Sequence, residues 1–461
     1  MHSVENNMKI PLRDFLRQAL RFYIPLAIQS TAQSLTYPLV ASIVSHGPLG
    51  STEYGAFAQG QILLFLFGAI GSGLITTGMV FARTKTGLAT FSRLVVRMAL
   101  AVNALQLLAC APPFDHLIFD VVLRLDAEHA RIARNTMLAG VPMQLAFFLR
   151  NIYLVVLYNA RESVLANNAT MARIALTAAL SPLFVRAGLS GHLWGMLVMT
   201  VPVWLELILT KRYARKFIAR LADPPYAEQA PLAKQFIFTM PLSFGGMLLS
   251  VSAFMTGIFL ARIEDPAAPA ALIVSIHYIV MGIVNPLGFA GLKMQSLAIA
   301  FPPEEYGAAR MRAFTLVTGL ALASAIFVLQ IPALARWYFG AIQNLAPEHV
   351  SLAKSTALVM AAHPFLQTVR GRLEGLAALR RRPNAILAGQ AVFLATMLMS
   401  LLFFTRLQTI PSNMIGGLSI LISILTTIIT IRVALLWNDF EDKYGAAAAK
   451  PQAVPAPPEQ K

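Results

Sequence analysis

The sequence predicts an all-α polytopic membrane protein, twelve transmembrane helices in two six-helix lobes, and three observations carry that prediction. First, 57% of the 461 residues are hydrophobic and only 13% are charged, with a mean hydropathy of +0.64, a balance foreign to soluble domains. Second, apolar runs of about 20 residues recur along the whole chain, each long enough to cross a hydrocarbon core of roughly 30 Å as a helix. Third, basic residues alternate between the intervening segments as the positive-inside rule requires. A backbone in lipid must satisfy its own hydrogen bonds, so the spans form a helical bundle.

Taken in order, residues 1–21 come first. From Met8 to Arg21, Leu12, Phe15, Leu16 and Leu20 are set against Arg13, Arg17 and Arg21 at helical spacing, which predicts an amphipathic segment on the cytoplasmic leaflet. No short apolar core with a small-residue cleavage site occurs, so the first span is read as retained. The expected spans are 22–44, 55–82, 94–113, 136–158, 164–184, 188–210, 236–261, 268–292, 313–335, 356–379, 384–405 and 413–437. Several exceed the minimal length, which tilt accommodates. With the amino terminus inside, the cytoplasmic segments hold 24 Lys and Arg and the opposite segments 8. That asymmetry predicts a multi-pass protein of the inner or plasma membrane with both termini cytoplasmic.

Segment 211–235 is the long, basic, Pro-containing connection in the middle of the chain. It is expected to be a cytoplasmic linker between an N-lobe (22–210) and a C-lobe (236–437). Phe22-Tyr23-Ile24-Pro25-Leu26 opens the first lobe and Phe238-Thr239-Met240-Pro241-Leu242 the second, an offset of 216. Arg150 and Arg370, and likewise Arg161 and Arg381, are separated by 220. Two related six-helix repeats in the same orientation follow. The Pro/Ala-rich end, 438–461, is expected to be a disordered cytoplasmic tail.

Composition also excludes function classes. The lone Cys110 rules out an internal disulfide, and no Cys/His spacing suggests a metal site. No phosphate-cradling Gly-rich motif ending in Lys-Ser/Thr exists, so transport is not driven by the chain's own ATP hydrolysis. An integral membrane transferase would need an acid/base or nucleophile set beside a substrate platform. With no expected loop longer than about 25 residues and no paired carboxylates, the chain is read as not an enzyme, without a cofactor. The net charge of +16 is spent on membrane orientation, which leaves no call for nucleic acid as a partner.

Charged residues inside the spans are the candidates for function, because a mid-membrane Arg costs at least about 2.5 kcal/mol and faces a wet cavity or a partner. Arg150, Arg173 and Arg370 are candidate substrate ligands, with Lys293 at the end of GFAGLKMQ. Glu206 and Glu374 are the available acidic partners, and Glu374 stands one turn after Arg370, so a purely structural ion pair is the competing reading. For Arg173, preceded by Asn167 and Asn168, substrate contact and packing weigh equally, and for Lys293 an interfacial anchor is the competing role. Asn285-Pro286 breaks the hydrogen-bond ladder of the eighth span and is a candidate gate or a static kink. His277 and His363 titrate near neutral pH in water and are candidates for coupling, or simple helix contacts. Gly68, Gly71, Gly73 and Gly78 are expected to permit close helix approach.

Two six-helix lobes, a basic linker, and an Arg-bearing helix running into R-E-S (161–163) or R-x-x-P (380–383) resemble the multidrug/oligosaccharidyl-lipid/polysaccharide (MOP) exporter superfamily. That superfamily includes the multidrug and toxic compound extrusion (MATE) proteins. RFYIPLAIQS (21–30), TTGMVFARTK (76–85) and TVRGRLEGLAALRRR (368–382) look like the progressive ankylosis (ANK) family. The resemblance implies a V-shaped alternating-access transporter that exports a small multivalent anion such as pyrophosphate, nucleotide or citrate. Membrane lipids and a coupling ion, proton or sodium, are the implied partners. A flippase for a lipid-linked sugar, whose pyrophosphate also calls for arginines, is the alternative. Proton-coupled multidrug exporters of the superfamily typically carry an acid in helix one or an acidic cluster in the opposite lobe. Here 22–44 holds Gln29 and Gln33 and no carboxylate, which makes cation-coupled drug antiport the weaker fit.

Overall fold

The structure is a computed structural model that describes residues 11–32, 36–49, 51–123, 125–223, 230–260, 263, 270–343, 345–407 and 410–448. Among them there are helices and turns and no strand. The first half contains α1 (Leu12–Ala32), α2 (Thr36–Ser45), α3 (Ser51–Ala69), α4 (Leu74–Phe81), α5 (Lys85–Ala109), α6 (Ala127–Ala139), α7 (Val141–Asn159), α8 (Ser163–Arg186) and α9 (His192–Ile218). The second contains α10 (Leu232–Leu260), α11 (Ala270–Leu292), α12 (Met294–Ala300), α13 (Pro303–Tyr306), α14 (Ala308–Phe327), α15 (Pro332–Ala335), α16 (Val350–Met360), α17 (Ala362–Leu379), α18 (Pro383–Arg406) and α19 (Ser412–Ala448). Helices occupy all twelve expected spans, and ten helical stretches among the described residues are long and apolar enough to cross a membrane. The expected spans 22–44 and 356–379 are not among the ten; in the second, His363, Pro364 and Gln367 interrupt the apolar run.

Several spans are broken where the sequence weakens the helix. Gly71 and Gly73 separate α3 from α4, and Gly140 with Pro142 at the next helical positions separates α6 from α7. Such breaks are tolerated in lipid because neighbouring helices satisfy the freed backbone groups. The four expected small contacts are real: Gly68, Gly71 and Gly78 lie against Gln144, Phe148 and Val155 of α7, while Gly73 meets Leu242 of α10.

Three expected boundaries move. Residues 12–21 are the first turns of α1 rather than a separate surface helix, because no breaker intervenes and Phe15 is fully buried against Phe301, Tyr306 and Phe314. The basic start of the linker, 211–218, is the end of α9. The last helix continues to Ala448, so 438–448 extends it. Residues 8–10, Gln33, linker residues 224–229 and tail residues 449–461 lie outside the described residues.

The repeat extends to fine backbone detail. A π-helical turn occupies His116–Val122 and again Arg336–Ile342, 220 residues later. Arg161 and Arg381 adopt left-handed backbone, φ 59° and 55°, and are the only non-glycine residues with positive φ among those described. Each closes its helix with the same pair of bonds: Glu162 N to Leu157 O (2.8 Å) and Arg161 N to Tyr158 O (3.0 Å) in one half, Arg382 N to Ala377 O (2.8 Å) and Arg381 N to Ala378 O (2.9 Å) in the other. This is the cap usually given to glycine. Packing repeats too: α7 is flanked by α4, α5 and α9 as α17 is by α12, α14 and α19.

The halves meet along a seam toward the basic ends of the helices. Tyr23 OH donates to Ala290 O (2.9 Å), Thr31 Oγ1 to Pro286 O (3.3 Å), and Arg83 Nη2 to Ile299 O (3.2 Å). Thr77 and Thr239 hydroxyls are 2.8 Å apart. The linker is tied down where Asp223 accepts from Thr86 N (2.9 Å) and Thr86 Oγ1 (2.7 Å), donors that hold its carboxyl below the usual carboxylate range.

Candidate functional site

An arginine in an apolar helix needs a partner, and the first half supplies one carboxylate for two guanidiniums. Arg150 on α7 places Nη1 2.6 Å from Glu206 Oε2 on α9, and Arg173 on α8 places Nη1 3.2 Å from the same oxygen. The other carboxylate oxygen, Oε1, accepts from Thr170 Oγ1 at 2.5 Å. Thr170 in turn accepts from Gln29 Nε2 (2.6 Å), and Tyr158 OH donates to Gln29 Oε1 (3.0 Å). A polar chain therefore runs from α1 through α8 to α9. Glu206 is fully buried, Arg150 and Arg173 nearly so, and the Phe147 ring lies 4.8 Å and 5.7 Å from their respective guanidinium carbons. Two fixed cations against one anion leave the cluster with an excess positive charge. Arg150 Nε is buried without a hydrogen-bond partner, and a small void of about 70 Å³ opens beside Arg173.

Lys293 adds to that charge from the other half. It is the turn between α11 and α12, half-buried, on a segment that packs against α7 and close enough to feel the Arg150 charge. Among the described residues its ammonium has neither a hydrogen-bond nor an ion-pair partner. The residue 220 positions earlier is Gly73, so this cation belongs to one half only.

The second half is balanced differently. Arg370 Nε is 2.8 Å from Glu374 Oε1 one turn along α17, and both are buried. The Arg370 guanidinium carbon lies 5.8 Å from the Phe393 ring centre. It lines a cavity of about 230 Å³ with His277, Asn285, His363, Gln367 and several apolar side chains. Gln367 Nε2 and His363 Nε2 are 3.3 Å apart. Gly288 and Gly416 leave room for the rings of His363 and His277.

The expected symmetric pair is thus split. Arg150 and Arg370 hold equivalent helix positions, yet Arg150 shares Glu206 with Arg173 while Arg370 is matched one to one by Glu374. The partners are not inherited: 220 residues from Glu206 stands Thr426, and 220 before Glu374 stands Leu154. Pro286 lies inside an unbroken α11, and its carbonyl accepts from Thr31 across the seam. The sequence reading did not include Gln29, Tyr158 or Thr170 in the site. Among the described residues no group of His, Cys, Asp and Glu could hold a metal ion.

No family model and no curated protein matches the chain. Solved structures do. A Vibrio cholerae MATE transporter, VcmN, superposes with a TM-score of 0.69 at 15% identity, covering 94% of this chain and 98% of its own. A eukaryotic MATE transporter superposes with a TM-score of 0.68 at 16% identity, covering 92% and 96%. A MOP superfamily transporter from Pyrococcus furiosus, described as having a binding pocket of reverse polarity that suggests a different function, gives 0.67 at 14% identity, covering 92% and 95%. The chain has the MATE fold.

Proposed function

We propose that the chain is an alternating-access secondary transporter that exports a small multivalent anion, of the size and charge of citrate, pyrophosphate or a nucleotide. The observation that carries this reading is the charge excess among side chains within the bundle: Arg150 and Arg173 share Glu206, and Lys293, near enough to feel Arg150, has no counter-ion among the described residues. Removed from bulk water, such a cluster attracts anions far more strongly than the same charges at a surface, and it repels the organic cations that an acidic pocket would favour. Guanidinium groups suit carboxylate and phosphate because they bind in a bidentate fork. The Pyrococcus structure, described as having a binding pocket of reverse polarity, is consistent with this reading.

Arg150, Arg173 and Lys293 are the proposed anion ligands, with Glu206 the internal counter-ion that keeps the empty site neutral enough to be stable. Arg370 is assigned to its pair with Glu374 one turn along α17, at the edge of the cavity that His277 and His363 also line. Asn285-Pro286 is the proposed flexing point of α11.

The test is a comparison of metabolites released into the medium by cells with and without the protein. Release of citrate, pyrophosphate or nucleotide is the expected result. Accumulation of a lipid-linked glycan on deletion, with no change in soluble anions, would instead make the chain a flippase for a pyrophosphate-bearing lipid.

A further inference from the structure

We propose that Phe81 and Phe301 are the two tongues of a two-fold-symmetric clasp that shuts the halves together along the basic face, each ring held between a phenylalanine and an arginine of the opposite half. Phe301 follows α12 in the second half. Its ring centre lies 5.8 Å from that of Phe22 and 4.4 Å from the Arg161 guanidinium carbon, both in the first half. Phe81 ends α4 in the first half. Its ring centre lies 5.1 Å from that of Phe238 and 5.4 Å from the Arg381 guanidinium carbon, both in the second.

The two arrangements are images of each other. Phe81 and Phe301 are 220 apart, as are Arg161 and Arg381, and Phe22 and Phe238 are 216 apart. Elsewhere the halves have diverged at polar positions, with Thr426 for Glu206, Gly73 for Lys293 and Pro303 for Arg83. Here ring, ring and guanidinium are kept in both, and each contact is reciprocal. The backbone points the same way. Arg161 and Arg381 hold left-handed conformations at a helix end where glycine would be unstrained, and strain of this kind persists where the side chain is needed.

A cation over an aromatic face is attracted by the ring quadrupole, more strongly when partly desolvated. Opening the molecule toward the basic face requires both rings to leave both arginines, so the two contacts act together on one equilibrium. The Arg161 guanidinium also stacks at 5.0 Å on Tyr306 and donates to the Tyr306 hydroxyl, while the residue 220 before Tyr306 is Thr86, which is engaged with Asp223. This inference rests on the proposed alternation between two openings, but not on the nature of the solute.

The experiment is maleimide labelling of full-length protein in lipid nanodiscs, with Cys110→Ser removing the native thiol. A single cysteine replaces Ala82, which is buried and lines a cavity together with Ala300, Pro302 and Glu305 of the other half. Arg161→Ala should raise the labelling rate roughly 2- to 30-fold, the range a single cation–π contact spans. Arg381→Ala should raise it as well, and the two together by about the product. Phe301→Leu keeps the apolar bulk and should act like Arg161→Ala, with little further gain when the two are combined. Arg161→Lys should fall between. Unchanged labelling in the arginine variants, or full additivity of Phe301→Leu with Arg161→Ala, would overturn the clasp. No solute is present in the assay, so the outcome is independent of whether the anion reading holds.

Discussion

At the scale of single residues, the two buried arginine clusters differ in arithmetic, and the difference is testable. Arg370 and Glu374 cancel one another, so replacing both with leucine removes a desolvated pair without leaving a charge behind. Such replacements are neutral or stabilising by about 1–4 kcal/mol, while breaking the pair on one side costs about 3–5 kcal/mol. Glu374→Leu alone should therefore lower the melting temperature, and Arg370→Leu with Glu374→Leu should restore both melting and export. Loss of export in a well-folded double variant would return Arg370 to the substrate site. Arg150, Arg173, Glu206, Arg370 and Glu374 were all legible in the sequence, because a charge in an apolar run stands out by its cost. Gln29, Tyr158 and Thr170 were not. Amides and hydroxyls are ordinary in membrane helices, and Gln29 finds Thr170 only across 141 residues of chain.

At the scale of elements, α11 meets the other half at Pro286 and ends about two turns later at Lys293. Proline leaves the carbonyl of Gly282 without its helical donor, which makes this stretch easier to bend than its neighbours. Its own carbonyl accepts from Thr31 of α1, so flexing α11 alters a contact between the halves. Pro286→Ala, which restores the missing N–H, should slow turnover while leaving anion affinity within about twofold, since the proposed solute ligands are elsewhere. Equal turnover would mean a static kink. The sequence reading placed this proline and ended its helix at residue 292, as observed, but did not foresee that the chain resumes as α12 directly after Lys293. It also separated residues 8–21 from the first span, because charge at 13, 17 and 21 reads as an interface. Phe15 instead buries itself among Phe301, Tyr306 and Phe314, a contact between distant segments that periodicity does not encode.

At the scale of the whole molecule, a duplicated helical scaffold carries an unduplicated charge. The scaffold was readable from the 216 and 220 offsets, which mark motifs that set helix starts and caps in both halves and so survive in the sequence. The excess of positive charge was readable only in outline, because it depends on which arginine reaches which carboxylate. Anion selectivity at the cluster of Arg150, Arg173 and Lys293 is the central proposal. The most direct test is the initial rate of labelled citrate, pyrophosphate and nucleotide flux in proteoliposomes, measured beside an organic cation, for the natural sequence and Arg150→Lys. At least one multivalent anion should move and the cation should not, and Arg150→Lys should slow the anion about tenfold through loss of bidentate contact. Transport of the cation alone, or an undiminished anion rate in Arg150→Lys, would contradict it.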